Sequence, residues 1–254
     1  MSKQTYLWVL AILITIASAV YQRITGPTYP LTGGVLIDGH EIKYRLERSY
    51  STSSNYLIKI NTGESEIKGN LFWRKYKSNS KFNSIQMKGN KVLSAELPRQ
   101  KRLEKLEYYI ELYKDNKTIK IPKDNLVIIR FKDDVPALIL IPHIIVMFLA
   151  MMFSTRAGLE FFNKEPKLNR FSFWTVITLF IGGFPLGFAM NGFAFGEIWG
   201  GWPFGTDVTD NKTQIAFITW LLAFFMVKKN MRSKYAVLAA AIVMLIVYMI
   251  PHSS

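Results

Sequence analysis

Apolar residues fall into two arrangements along this chain. In five places they run on without a break: Tyr6 to Val20, Val135 to Phe153, Phe171 to about Gly192, Thr213 to Val227, and Tyr235 to Ile250. A bilayer core takes about 20 helical residues, so these runs read as five spans, the first, fourth and fifth short unless their flanks contribute. Trp202, Pro203 and Phe204 extend the apolar zone ahead of the fourth. Between the first and second runs the pattern changes to short alternating stretches: Glu41 to Leu46, Asn55 to Ile60, Glu66 to Tyr76, Phe82 to Met87, Val92 to Leu97, Leu106 to Leu112, Thr118 to Ile121 and Leu126 to Phe131. Turn signals such as Asn61-Thr62-Gly63, Lys88-Gly89-Asn90 and Lys114-Asp115-Asn116 separate them. Seven or eight strands over about a hundred residues predict a β-sandwich of immunoglobulin or fibronectin type.

The expected fold is therefore an α-helical polytopic membrane protein with an inserted extracytoplasmic all-β sandwich. Its divisions would be an amino-terminal anchor over 1–22, the sandwich over 23–134, and a four-helix transmembrane domain over 135–254 with an outer loop at 192–212. The stretch from Pro98 to Lys105 reads either as a brief helix or as a polar crossing between two sheets. Trp73, Tyr108 and Tyr109 read as core or half-buried residues, and His40, at a strand edge, as a solvated side chain.

Charge sharpens the orientation. The formal net charge is +14 over 254 residues, but residues 23–134 hold 22 Lys and Arg against 13 Asp and Glu, a net of +9 spread along strands rather than gathered in one stripe. That distribution argues against nucleic acid and for a solvated surface, with attraction to an anionic membrane surface or an acidic partner as the next reading. The short basic segments carrying Arg156, Lys164, Lys167 and Arg170, and Lys228, Lys229, Arg232 and Lys234, belong in the cytoplasm by the positive-inside rule. The amino terminus then lies inside, and the strand-rich region, the 192–212 loop and the carboxyl terminus outside. Ala17-Ser18-Ala19 resembles a signal-peptide cleavage site, although an uncleaved anchor is the expectation. No Cys is present, which excludes disulfides, Cys-ligated metals and cysteine nucleophiles.

Unusual chemistry gathers at the expected outer ends of the helices. The segment from Asn191 to Thr213 mixes Trp199, Trp202 and Phe204 with Glu197, Asp207, Asp210, Asn211 and Lys212. It has too many acids for a span and too many aromatics for an aqueous linker, so an interfacial or partly re-entrant loop fits. Thr209 or Asp210 would cap the following helix. Ile-Pro-His occurs twice, at 141–143 and 250–252. His143, Glu197, Asp207, Asp210 and His252 are therefore candidate N and O ligands for zinc, iron or manganese. A hydrogen-bonded cluster holding loop to helix ends, or a small-molecule or proton-handling site, would use the same residues. Two histidines on different spans could also ligate one haem iron, but no haem-attachment motif exists, and no particular cofactor follows. Gly183-x-x-x-Gly187 and Pro185 predict close helix contact and a bend, and Pro136 and Pro142 a kink near His143 that is either simply packed or exposes a carbonyl or widens a pocket. Arg156 and Glu160, at i and i+4, suit a helix-end salt bridge.

The stretches Met151-Met152-Phe153-Ser154-Thr155-Arg156-Ala157-Gly158-Leu159-Glu160 and Trp202-Pro203-Phe204-Gly205-Thr206-Asp207-Val208-Thr209-Asp210-Asn211-Lys212-Thr213, with the strand-rich insertion, resemble uncharacterised bacterial inner-membrane proteins of the Bacteroidota type. The resemblance covers almost the full chain and implies no activity. The expectation is a non-enzymatic membrane subunit organising an envelope complex, with the lipid bilayer and proteins of the membrane or periplasm as partners. The alternative is a membrane-embedded, metal-dependent redox enzyme or transport accessory protein using the His and carboxylate set.

Overall fold

Alternation of apolar and polar residues becomes strands wherever one side of the chain can be buried. In the computed structural model, which describes residues 2–64, 66–229 and 233–251, β1 spans Leu31–Ile37, β2 His40–Leu46, β3 Ser49–Ser51, β4 Tyr56–Asn61 and β5 Lys68–Lys75. Then come β6 Asn83–Gln86, β7 Val92–Leu97, β8 Lys105–Lys114, β9 Lys117–Ile121 and β10 Val127–Lys132. Every strand expected from alternation forms. Tyr56, Ile58 and Ile60 of β4 point inward and Leu57, Lys59 and Asn61 outward, a strict period of two.

Two strands were not legible. β1 turns Leu31, Val35 and Ile37 towards the core, but Gly33 and Gly34 interrupt the alternation and Leu36 stands exposed on the other side, so the sequence pattern is broken. β3 is three residues long and pairs in parallel with the end of β10, Ser49 to Ser51 opposite Arg130 to Lys132. No local pattern announces a parallel partner so far along the chain.

The assembly is not the expected all-β sandwich. The main sheet runs β3-β10-β8-β5-β6, with β9 also on β8, while β1-β2 and β4-β7 are separate two-stranded ribbons. The long β8 is the reason. On one edge its first residues pair with β10 and its last with β9, while the other edge takes β5. Both ribbons contribute to one apolar core, with Ile37, Ile42, Ile58, Ile60 and Leu97 joining Leu71, Ile110, Leu112 and Phe131. Tyr108 is fully buried, Trp73 and Tyr109 half-buried. The Tyr108 hydroxyl donates to the Glu47 carbonyl at 2.9 Å, and Tyr56 Oη accepts from the Glu47 N–H at 3.1 Å. Burial pushes both phenols above their ordinary pKa. Residues 98–104 form no helix and cross irregularly from the β4-β7 ribbon into the main sheet.

The helices are α1 Lys3–Thr25, α2 Ala137–Leu159, α3 Leu168–Ile181, α4 Gly187–Phe195, α5 Val208–Lys228 and α6 Ser233–Met249. A π turn over Gly182–Leu186 joins α3 to α4 in one 28-residue rod, Leu168–Phe195. Three helices, not five, are long and apolar enough to cross a membrane among the described residues: Lys3–Thr25, Ala137–Phe162 and Leu168–Phe195. α5 opens on Asp210, Asn211 and Lys212, which dilute its apolar character. α6, at 17 residues, rises about 25 Å, short of a ~30 Å hydrocarbon core. The chain is mixed, about 47% helical and 26% strand, with sheets in its middle and helices towards its termini. That composition and the span count overturn the expectation of a polytopic helical protein carrying an inserted sandwich.

The chain divides into two compact units, one of Met1–Pro27 with Val135–Ser253 and one of Thr28–Asp134. In the helical unit Trp220 is fully buried among small residues, Ala150, Ala216, Ala223 and Ala240. A Cβ on Gly183 would stand 2.6 Å from Thr213 Cγ2, so that glycine lets the 168–195 rod and α5 close on each other. Gly187 meets only its own helix, so half of the expected small-residue pair makes the contact.

Candidate functional site

The helical unit carries two polar clusters. The first lies where α2 ends and α1, α3 and α6 begin. Arg156 and Glu160 are both 0% exposed, and Arg156 Nη1 stands 2.5 Å from Glu160 Oε1. Arg156 Nη2 also donates to Gln4 of α1, and its guanidinium lies 4.6 Å from the Phe171 ring centroid and 5.5 Å from that of Trp8. Glu160 Oε2 accepts from the Lys167 N–H at 2.7 Å and from Asn163 Nδ2 at 3.1 Å. Lys3 Nζ donates to the Phe162 carbonyl and Lys234 Nζ to that of Asn163. The i, i+4 spacing gives the pair, but its burial comes from four other segments folding over it. A buried ion pair needs its remaining donors and acceptors met. Here Gln4, Asn163 and the Lys167 N–H answer Arg156 Nη2 and Glu160 Oε2, while Arg156 Nε has no hydrogen-bond acceptor among the described residues and the guanidinium has the Phe171 and Trp8 rings beside it.

The second cluster lies near the beginning of α2 and the loop before α5. Pro185 has no N–H to continue the helical ladder, and the chain widens into the π turn. His143 Nδ1 lies 3.1 Å from the Gly182 carbonyl of that turn. A carbonyl only accepts, so Nδ1 carries the proton. The available carbonyl belongs to the 168–195 rod, not to the proline-bearing α2, where an exposed carbonyl was one of the readings.

Residues 196–207 form a loop fastened by the acids expected to ligate. Asp207 is the cap of α5, its carboxylate accepting from the Thr209 N–H at 2.8 Å and the Asp210 N–H at 3.0 Å. Thr209 and Asp210, the expected caps, stand inside the first turn. Asp210 is buried and reaches back: Oδ2 accepts from the Gly200 N–H at 2.7 Å and Oδ1 from Asn191 Nδ2 at 2.9 Å. Asn211 Oδ1 accepts from the Trp202 N–H at 2.6 Å, and Lys212 Nζ donates to the Ile250 carbonyl at 2.8 Å. Gly201 has no room for a side chain, a Cβ there lying 2.8 Å from Asp210 Cβ and 2.9 Å from Trp199 Cζ2. Trp199, expected in a headgroup layer, stacks on Phe184 at 5.9 Å and meets Phe188 edge-on at 5.6 Å. Ile198, Trp202 and Phe204 are left 62%, 67% and 84% exposed.

Of the expected ligands, Asp207 and Glu197 both approach Gly200, a Cβ there lying 3.3 Å from Asp207 Cβ and 3.5 Å from Glu197 Oε2, and Asp210 bonds the Gly200 N–H. His143 contacts the π turn instead, and His252 lies outside the described residues. No group of three or more His, Cys, Asp or Glu disposed to hold a metal ion is present among the described residues. Asn191, Gln4 and Asn163 escaped the sequence reading because a neutral amide has no spacing signature. No protein-family model matches the chain, and no curated protein matches it.

The sheet unit holds its own ionic cluster at hairpin turns. His40 is 58% exposed, as expected, and its Nε2 lies 2.7 Å from Glu64. Lys114 Nζ bridges Glu64 at 2.7 Å, Glu66 at 3.5 Å and Asp38 at 3.9 Å, and Lys117 pairs with Asp38. Hydrogen bonds from Lys117 and Lys114 hold Asp38 and Glu64 below the ordinary carboxylate range, and Glu64 raises Lys114.

Proposed function

We infer that this chain is a non-enzymatic integral-membrane subunit of the bacterial inner membrane, organising an envelope complex through its sheet unit and the 196–207 loop. The observation that carries this is the division of labour in that loop. Asp210 and Asn211 of α5 accept from the loop N–H groups of Gly200 and Trp202, and Asp207 at the loop's end caps α5, while Ile198, Trp202 and Phe204 stay exposed on the frame so made. A fixed backbone presenting large apolar side chains is the form of an interaction surface, because little entropy remains to be lost on docking. Three helices apolar enough to span support a bilayer setting. The basic segments around Arg156 to Arg170 and Lys228 to Lys234 support a cytoplasmic amino terminus, with the sheet unit, loop and carboxyl terminus periplasmic.

The test is the size of the native particle. Released from membranes in mild detergent, the chain should migrate in an assembly larger than itself, and Trp202→Ser with Phe204→Ser should shrink that assembly without unfolding the chain. A lone particle, unchanged by the substitutions, overturns the reading. The metal-dependent alternative makes the opposite forecast: stoichiometric zinc, iron or manganese in the purified protein, removed by Asp207→Ala and His143→Ala.

A further inference from the structure

Residues 98–104, between β7 and β8, form a basic loop that is held from several sides. Leu103 N–H donates to the Phe131 carbonyl at 2.9 Å, and Phe131 N–H donates to the Glu104 carbonyl at 3.0 Å. Arg102 Nε lies 2.9 Å from Asp133 Oδ2, Lys101 N–H donates to Glu104 Oε2 at 3.1 Å, and Arg99 N–H donates to Asn55 Oδ1 at 3.0 Å. An open pocket of about 520 Å³ results, lined by Thr52, Arg99, Gln100, Lys101, Arg102 and Asp133. Its one carboxylate, Asp133, is already engaged by Arg102 and the Thr52 hydroxyl. Arg99 and Lys101 take part in no ion pair among the described residues, and Arg99 only reaches the Ser53 carbonyl, at 3.3 Å. The lining therefore carries three cations, Arg99, Lys101 and Arg102, against the single carboxylate of Asp133, with Glu104 alongside Lys101, on a backbone that is already fixed.

Leu103 adds a second, independent observation. It sits at φ 69°, in the left-handed region that a bulky side chain avoids, and is 43% exposed. Strain of this kind persists only where neighbouring bonds impose it, and here it holds an apolar side chain out beside the cations. Asp133, which closes the pocket, is four residues before Ala137, the first residue of α2.

We propose that the 98–104 loop is a binding site for the phosphate of an anionic phospholipid headgroup, with Arg99 and Lys101 as its ligands and Leu103 entering the lipid interface. Arg102 positions the loop through Asp133. The site rests on the reading that α2 enters a bilayer. Cations near an anionic lipid surface attract it, and an exposed leucine beside them gains from the acyl boundary that free phosphate lacks.

The test uses the full chain in nanodiscs of phosphatidylcholine alone or of equal parts phosphatidylcholine and phosphatidylglycerol, with amide exchange of residues 99–104 as the readout. Exchange should slow with phosphatidylglycerol on the order of tenfold, and Arg99→Gln with Lys101→Gln should abolish the slowing while leaving exchange in β8 unchanged. Inorganic phosphate added to phosphatidylcholine discs should have no effect. Equal protection by phosphate assigns the pocket to a free anion and overturns the lipid site, as does exchange indifferent to lipid charge. Slowing that appears only when a soluble acidic protein is added overturns it in favour of a protein partner. Carbonate extraction of native membranes separates the two levels: a chain stripped off overturns the membrane reading and this site with it, whereas a chain that stays and ignores phosphatidylglycerol overturns the site alone.

Discussion

The two polar clusters of the helical unit solve one problem by different means. At the Arg156 cluster, opposite charges are buried together, and Gln4, Asn163 and the Lys167 N–H answer Arg156 Nη2 and Glu160 Oε2 but leave Arg156 Nε without an acceptor among the described residues. At the Asp210 cluster, side chains instead answer backbone groups, as Asp210 does for Gly200 and Lys212 for Ile250. The difference teaches where each is vulnerable. Removing one member of a buried pair leaves a charge stranded, whereas removing a side chain from a backbone contact strands at most a neutral N–H or C=O.

The largest effect should therefore come from Glu160→Ala, which leaves Arg156 buried without its counter-ion and should cost about 3–5 kcal/mol. Thermal unfolding in detergent measures it. Arg156→Met with Glu160→Leu should recover most of that loss, and a double variant as unstable as Glu160→Ala would break the distinction between the clusters. Asp210→Ala comes next, at about 1–3 kcal/mol for the unmet Gly200 N–H and Asn191 amide. Its signature should be faster amide exchange confined to the 196–207 loop, and exchange spread through every helix would show the loop to be part of the core.

Gly201→Ala sharpens the same cluster without removing a hydrogen-bonding group, although a Cβ there stands 3.0 Å from Asn211 Oδ1, the acceptor of the Trp202 N–H. The added methyl meets Asp210 Cβ and Trp199 Cζ2, and crowding of this kind costs about 1–2 kcal/mol. A variant as stable as the parent would mean that the loop yields.

The smallest effect belongs to the sheet unit, where the half-buried Lys114 side chain bridges Glu64 and Asp38. Lys114→Met should cost less at neutral pH than any of the single changes above. Because Asp38 and Glu64 are held below ordinary carboxylate values, the folded state takes up their protons less readily than the unfolded state. Their contribution is complete above the ordinary carboxylate range and is lost as pH falls through the lowered values. The stability gap between parent and Lys114→Met should accordingly close below about pH 4. A gap that widens on acidification would reverse the assignment.

Legibility followed the range of the physics involved. Alternation exposed eight strands because burying one side chain in two is a local property, while β1 was hidden by Gly33, Gly34 and an outward Leu36 that break its pattern and β3 by the want of a local partner. The acids of the loop stood out as a group. That Asp207 rather than Thr209 or Asp210 caps α5 depends on where the helix starts, a boundary that three capping residues within four positions leave ambiguous. Trp199 and Trp202 looked equivalent in the sequence, yet one stacks on Phe184 and the other stays exposed.

By itself the sequence determined the apolar runs, the alternating middle region, the surplus of positive charge in that region, and the i, i+4 placement of Arg156 and Glu160. These depend on neighbours within a turn or a strand. Only the tertiary structure decided that β8 would serve both β9 and β10, that Arg156 and Glu160 would be sealed from solvent, and that Asp210 would hold a loop. Each of those outcomes depends on which distant segment covers a group, and burial, not residue type, sets what a charge or an amide is worth.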